Sequence, residues 1–130
     1  MKALIVDDED ICITASSVIL SKLGVEYKEA SNGKEALEII QKEAIHYYYF
    51  DFVLMDFNMP IMNGIDATKK IKTLVGLKEI RELFVLGLSA NATLENSDEW
   101  KDCDMDYFLS KPLSGRILLD ALTFLLNRKK

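Results

Sequence analysis

Short apolar runs alternate along the chain with longer stretches in which apolar residues recur every three or four positions. A short apolar run between polar residues is typical of a buried strand, whereas the longer spacing is typical of an amphipathic helix. The runs predict strands at residues 3–6, 25–30, 52–56, 83–88 and 107–109. The helical spacing predicts helices at about residues 11–23, 34–44, 64–74, 94–104 and 115–127. This alternation predicts an α/β fold, a right-handed, doubly wound five-stranded parallel sheet flanked by five helices.

Glycine and polar residues mark the ends of several predicted helices. Gly24 is placed to end the first helix, the turn at residues 31–33 leads into the second, and Ser114 caps the last. Apolar residues recur at helical spacing in the first two helices, and those of the second helix are expected to be buried. They are Ile11, Ala15, Val18, Ile19 and Leu23 in the first helix, and Ala36, Leu37, Ile40 and Ala44 in the second.

Composition and charge narrow the class of protein. The 130 residues suffice for one domain with a full core, and 49% of them are hydrophobic while 28% are charged. The net charge of −5 argues against nucleic acid or an anionic membrane as a direct partner. Neither a membrane-spanning run nor a signal peptide is evident, so we expect a cytoplasmic location. Cys12 and Cys103 lack the spacing of a metal site and are expected to be free thiols.

The chemically informative side chains lie where predicted strands end. Asp7 and Asp8 follow the first strand, Asp56 ends the third, Ser89 ends the fourth, and Lys111 comes shortly after the fifth. The carboxyl ends of the strands border one crevice in a doubly wound sheet, which brings these side chains together. Three carboxylates in one crevice repel each other unless a cation joins them, and such oxygen ligands suit Mg²⁺. A lysine and a hydroxyl beside the metal would bind an anion with several oxygens, such as a phosphoryl group.

Five segments, taken together, carry a family resemblance. They are Val6-Asp7-Asp8, the turn at residues 32–37, the run MDFNMPIMNG at residues 55–64, LSANA at residues 88–92 and SKPL at residues 110–113. In sequence, order and spacing they resemble the receiver domain of two-component response regulators. The likeness covers essentially the whole chain, and it is greatest to receivers of hybrid sensor kinases and to single-domain response regulators. It implies one receiver domain over residues 1–130, with the CheY-like strand order 2-1-3-4-5.

The resemblance implies a phosphoacceptor and a metal site. Asp56 would attack the phosphoryl group of a phosphohistidine and become an aspartyl phosphate. Asp8, Asp56 and the backbone carbonyl of Asn58 would bind Mg²⁺, or Mn²⁺ in its place, with Asp7 acting through a water molecule. The phosphoryl donor would be a histidine kinase or a histidine phosphotransfer protein.

The resemblance also implies a conformational switch. Lys111 and Ser89 would bind the phosphoryl oxygens, and Ala90 belongs to the same group of residues. Phe108 occupies the aromatic switch position, where many relatives have tyrosine, and it would turn inward as Ser89 moves. The face made by the fourth helix, fifth strand and fifth helix would then dock a downstream protein. The residues that would tune dephosphorylation are Asn58 and Asn91.

The segment from Ala44 to Phe50 is longer and more aromatic than the family pattern leads us to expect. The favoured interpretation is a prolonged second helix whose last turn packs on the edge of the sheet. An exposed aromatic patch that binds a partner is the alternative.

Competing functions fit the residues less well. Asp102, Asp104 and Asp106 have the spacing of a calcium loop, but Tyr107 and Leu113 stand where that loop needs glycine and glutamate. A hydrolase with an aspartyl nucleophile would need an acid two residues after Asp56. We therefore expect a signalling phosphoacceptor that assists its own phosphorylation and dephosphorylation, rather than an enzyme acting on a separate substrate. The alternative left open is a receiver-like module that binds its partner without being phosphorylated.

Overall fold

The computed structural model describes residues 1–56, 64–89, 105–111 and 113–128. Within them lie five strands and four helices. In chain order these are β1 (Lys2–Val6), α1 (Asp10–Lys22), β2 (Glu26–Ala30), α2 (Gly33–Ile45), β3 (Phe52–Asp56), α3 (Gly64–Gly76), β4 (Phe84–Ser89), β5 (Tyr107–Ser110) and α4 (Gly115–Arg128). The helix expected at residues 94–104 lies outside the described residues. No helix in the described ranges is long and apolar enough to cross a membrane.

The five strands form one parallel sheet in the order β2-β1-β3-β4-β5, which confirms the predicted fold. The register aligns the carboxyl ends of the inner strands. Val6 lies opposite Met55, Asp56 lies opposite Leu88, and Ser89 lies opposite Ser110. Residues that follow β1, β3 and β5 are therefore brought to the same edge of the sheet.

Each face of the sheet has its own core. On one face, alternate residues of β1, β3 and β4 pack with Ala36 and Ile40 of α2 and with Ala67 and Ile71 of α3. On the other face, the remaining alternate residues pack with Leu20 of α1 and with α4. β1 and β3 are buried on both sides because helices cover both faces, and this is why they are nearly continuous apolar runs.

The apolar residues whose spacing predicts α1 do not all lie on its buried face. Ser16 and Leu20 are its buried residues, whereas Ile11 and Val18 of that spacing pattern are 84% and 47% exposed. Ile11 lies in the first turn of α1 and borders an open pocket beside Leu88 and Lys111 instead of packing in either core. Apolar spacing alone indicates a helix but does not reveal that an apolar stripe remains on its surface.

The predicted helix ends are confirmed. Gly24 follows α1 with a φ of +74°, a conformation that glycine adopts without a steric penalty. The side chain of Asn32 accepts a hydrogen bond from the backbone N–H of Glu35 at the start of α2. The Ser114 hydroxyl accepts one from the backbone N–H of Ile117 at the start of α4.

The interpretation of the aromatic segment as a prolonged helix is wrong. α2 ends at Ile45, and Tyr47 then adopts a φ of +61° with its side chain 82% exposed. Tyr48 is half-buried instead, because its ring meets Phe50 edge-on at 5.3 Å and lies 4.5 Å from the Lys2 ammonium. The segment therefore divides into an exposed Tyr47 and a Tyr48 that packs on the protein.

Asp106 ties the start of β5 to β4 and α3, and its removal should destabilise the fold. Its carboxylate accepts hydrogen bonds from the backbone N–H of Val85 at 2.7 Å and from the Lys72 ammonium at 2.8 Å. We expect Asp106→Ala to lower the free energy of unfolding by about 2 kcal/mol, since it leaves a buried N–H without its acceptor. Urea denaturation followed by circular dichroism measures this. Lys72→Met is the control and should cost no more than about 1 kcal/mol. Equal losses in the two variants would show that the ion pair, not the backbone contact, matters.

Candidate functional site

Three carboxylates meet at the carboxyl edge of the sheet, as the sequence predicted. Asp7 follows β1 and Asp56 ends the neighbouring β3, and both are almost completely buried, at 2% and 5% exposure. Asp8 lies beside them and is exposed. Each of the three offers an oxygen that lies within 4.8 Å of the other two. Two buried carboxylates this close require positive charge nearby.

Lys111 supplies that positive charge. Its Nζ lies 3.0 Å from Oδ2 of Asp7 and 3.4 Å from Oδ1 of Asp56. Burial by itself would lower the pKa of the Lys111 ammonium. The hydrogen bond to Asp7 and the charges of Asp56 and Asp7 outweigh burial, so the pKa is raised above its ordinary value. The main chain is held as well, because the Lys111 N–H donates to the carbonyl of Ser89 at 2.8 Å. Lys111 is therefore cationic and fixed beside Asp56.

Asp7 connects this charge cluster to the start of α1. One of its oxygens pairs with Lys111, while Oδ1 accepts a hydrogen bond from the backbone N–H of Glu9 at 3.0 Å. Glu9 is the residue that precedes α1, and its own side chain makes no capping hydrogen bond. Asp7 is thus held in place from two sides, and the Asp7–Lys111 pair has a defined geometry.

Gly64 brings the start of α3 against the backbone of Asp56. A Cβ atom at position 64 would overlap the carbonyl oxygen of Asp56 and would lie 2.9 Å from its carbonyl carbon. It would also lie 3.1 Å from Cγ of Met55. Only glycine permits this approach, so the position of Asp56 depends on the absence of a side chain at Gly64.

The structure describes some of the predicted switch residues but not all of them. Ser89 ends β4 and is buried at 1% exposure. Phe108 already packs in the core on the α2 and α3 side of the sheet, opposite Gly87, which has no side chain to compete for that space. Phe108 is thus largely buried, at 9% exposure, with Ser89 also buried. Ala90, Asn58 and Asn91 lie outside the described residues.

Cys12 is a site residue that sequence reasoning missed. Its Sγ accepts a hydrogen bond from Nζ of Lys111 at 3.6 Å. Burial raises the pKa of the Cys12 thiol, and the negative charge of Asp7 acts in the same direction, so the thiol is protonated at neutral pH. Cys12 is a free thiol, as predicted. The contact joins residues 99 positions apart, and no local sequence pattern signals it.

A pocket of about 340 Å³ opens beside Lys111 and Cys12. Its other walls are mainly apolar and come from Ile11, Ala15, Leu88 and Leu113, together with the polar Ser16. A wider groove of about 720 Å³ lies between the ends of α2 and α3. We consider the smaller pocket the functional one, because the wider groove is at the opposite edge of the sheet from the carboxylates.

The oxygens of Asp7, Asp8 and Asp56 fit a hard divalent cation such as Mg²⁺. Asp7, Glu9 and Cys12 form a second close group. That group fits less well, because a thiol must lose its proton to bind a metal and the raised pKa of Cys12 opposes this. The three-carboxylate group is therefore the better candidate metal site.

The chain is similar to a large family of signalling proteins. The family model described as the response regulator receiver domain matches residues 3–123. Two-component response regulator 24 of Arabidopsis thaliana is 33% identical over 122 residues, which cover 94% of this chain and 81% of that protein. The sensor histidine kinase RcsC of Salmonella typhimurium is 37% identical over 128 residues, which cover 98% of this chain. The chain spans only 12% of the length of that kinase, and 11% of the hybrid signal transduction histidine kinase K of Dictyostelium discoideum.

Solved structures show the same likeness. The receiver domain of the histidine kinase CKI1 from Arabidopsis thaliana, in a mutant form, matches with a TM-score of 0.84 and 27% identity. That match covers 97% of this chain and 89% of the other. The chemotaxis protein CheY4 of Vibrio cholerae matches with a TM-score of 0.78 and 29% identity, covering 95% of this chain and 97% of the other.

Proposed function

The chain belongs to the response regulator receiver domain family, and on that basis we propose that Asp56 accepts a phosphoryl group from a phosphohistidine. The donor would be a histidine kinase or a histidine phosphotransfer protein. The observation that carries the proposal is the buried cluster of Asp7, Asp56 and Lys111 at the carboxyl edge of the sheet. This cluster favours a phosphoacceptor over the alternative of a binding module that is never phosphorylated.

In the proposed transfer, a carboxylate oxygen of Asp56 attacks the phosphorus of the phosphohistidine. An O–P bond forms while the N–P bond breaks, and the electron pair of the broken bond stays on the imidazole nitrogen of the donor. The arriving phosphoryl group brings negative charge close to Asp7. The Lys111 ammonium, 3.4 Å from Asp56, is placed to offset that charge and to donate a hydrogen bond to a phosphoryl oxygen. The hydroxyl of Ser89 is the second proposed donor.

We assign the metal site to Asp7, Asp8 and Asp56, with the backbone carbonyl of Asn58 as a further ligand. When bound there, Mg²⁺ would offset the charge of the carboxylates and of the phosphoryl oxygens. The chain itself contributes rigidity to this site. Asp7 is held by Glu9 and Lys111, and Asp56 is held by the close approach of Gly64.

The proposed partners use two different surfaces. The pocket beside Lys111, with the exposed Ile11 at its rim, offers an apolar contact for the protein that donates the phosphoryl group. The proposed output surface includes β5 and α4, where Phe124 is 50% exposed and meets the ring of Tyr107 edge-on at 5.7 Å. Phosphorylation would change how a downstream protein docks on that surface.

Phosphorylation should be detectable with a small-molecule donor. We expect acetyl phosphate and Mg²⁺ to add one phosphoryl group to the protein, measured as a change in intact mass. The adduct should be absent in Asp56→Asn, which keeps the shape of the side chain but is not a competent nucleophile, and it should be strongly reduced by EDTA. An adduct that persists in Asp56→Asn would show that another residue accepts the group. If neither acetyl phosphate nor a phosphorylated histidine donor gives an adduct, the chain is a binding module instead.

A further inference from the structure

The ammonium of Lys111 has an acceptor for each of its three N–H bonds. Nζ lies 3.0 Å from Asp7, 3.4 Å from Asp56 and 3.6 Å from the sulfur of Cys12. A lysine ammonium has three donors, so these contacts account for all of them. The distances suit hydrogen bonds to oxygen for the first two, and the longer third distance suits the larger sulfur atom.

The three acceptors differ in what phosphorylation does to them. Asp56 is the residue that would change, because its carboxylate becomes part of the acyl phosphate. Asp7 and Cys12 would stay as they are, and both are fixed in place. Asp7 is held by Glu9, and Cys12 lies in the first turn of α1. Two fixed acceptors define the orientation of the ammonium and point its remaining N–H at Asp56.

The surroundings of Cys12 increase the importance of its contact. On that side Lys111 borders the pocket of about 340 Å³, whose walls are mainly apolar. Without the Cys12 sulfur, one N–H of the Lys111 ammonium would lose its acceptor and would face this pocket. Of the two acceptors that phosphorylation leaves unchanged, only Asp7 would then hold the ammonium, which could turn away from Asp56.

We propose that Cys12 is a positioning residue for phosphoryl transfer, which acts by holding the Lys111 ammonium so that one N–H faces the phosphoryl group on Asp56. This inference rests on the proposed phosphorylation of Asp56. It assigns Cys12 no contact with the reacting atoms and no change of its own charge or covalent state.

Three replacements at Cys12 separate positioning from packing. Cys12→Ser keeps an acceptor, Cys12→Val fills a similar volume without one, and Cys12→Ala removes both. We expect the rate of phosphorylation by acetyl phosphate at saturating Mg²⁺ to fall about three- to tenfold in Cys12→Val and Cys12→Ala, and to stay near the wild-type rate in Cys12→Ser. If Cys12→Val reacts at the wild-type rate, or Cys12→Ser is as slow as Cys12→Val, Cys12 serves only packing and the proposal is wrong.

A spectroscopic measurement tests the contact without phosphorylation. In ¹H–¹⁵N spectra of the lysine ammonium groups, the Lys111 signal is identified by its absence in Lys111→Met. We expect the signal in the wild type and in Cys12→Ser, and its loss through exchange with water in Cys12→Val. An unchanged signal in Cys12→Val would overturn the inference even if Asp56 is phosphorylated. Failure of the wild type to be phosphorylated would instead count against the proposed function, while the spectra would still decide the role of Cys12.

Discussion

Replacing Gly64 with alanine is expected to destabilise the protein by about 3 kcal/mol and to slow the phosphorylation of Asp56. The added Cβ would overlap the carbonyl oxygen of Asp56 and press on Met55, whose side chain is completely buried. Backbone atoms at the end of a central strand cannot yield without disturbing β3. The start of α3 must therefore move away, or Asp56 must shift out of its place beside Lys111.

The matched control lies at the other end of the same helix. Gly76 is exposed, and a Cβ there would have no atom within 4 Å. Gly76→Ala should be neutral or stabilising by up to about 1 kcal/mol, since alanine is the better helix former. Urea denaturation gives the stability of both variants, and intact mass after reaction with acetyl phosphate gives the rate. Similar effects of the two replacements would show that Gly64 has no special role in placing Asp56.

Replacing Lys111 with methionine is expected to cost about 2–3 kcal/mol of stability at neutral pH and to slow phosphorylation about a hundredfold. Methionine keeps the length of the side chain but leaves Asp7 and Asp56 buried without their shared cation. The Lys111 side chain is 17% exposed, so water partly screens the charges. The expected loss is therefore at the lower end of the range for removing one partner of a buried ion pair. In the Asp56→Asn background the same replacement should cost at least about 1 kcal/mol less, because only one buried carboxylate then remains unpaired.

The pH dependence of the stability difference between the wild type and Lys111→Met follows from the raised pKa of Lys111. A lysine whose pKa is higher in the folded state stabilises the fold fully at pH values below its ordinary value of 10.5. That stabilisation is lost progressively as the pH rises from this ordinary value through the higher folded-state pKa. The gap in stability between the wild type and Lys111→Met should therefore stay constant from about pH 7 to pH 10. Thermal denaturation across that range measures the gap, and a decline well below pH 10 would contradict the pairing.

The strands were the most predictable part of this fold. β3 was predicted at its observed bounds and the other four strands to within one residue. For β1, β3 and β4 the reason is that helices cover both faces, so these strands are apolar almost throughout. The buried face of α1 was not predictable, since an apolar stripe that includes the exposed Ile11 has the same spacing as a buried one. What decides between them is the position of the helix relative to the sheet, which is a tertiary property.

The candidate site was predictable in part for a similar reason. Asp7, Asp56 and Lys111 could be grouped because each follows or ends a strand, and parallel strands place such residues at one edge. Cys12 and Asp106 could not be identified in this way. Their contacts with Lys111 and Val85 join residues 99 and 21 positions apart, and no local sequence pattern signals either contact.

The ion pair between Lys111 and Asp7 joins residues that are 104 positions apart in the chain. Contacts of such long sequence separation cost the most loop entropy and form only once the intervening chain has been ordered. β5, which leads to Lys111, is an edge strand, and it reaches its place only by pairing with β4. A chain whose synthesis or folding has stopped before that point has Asp56 but lacks the cation beside it. The proposed phosphorylation of Asp56 would therefore require a completed sheet, because only then does Lys111 lie beside the acceptor carboxylate.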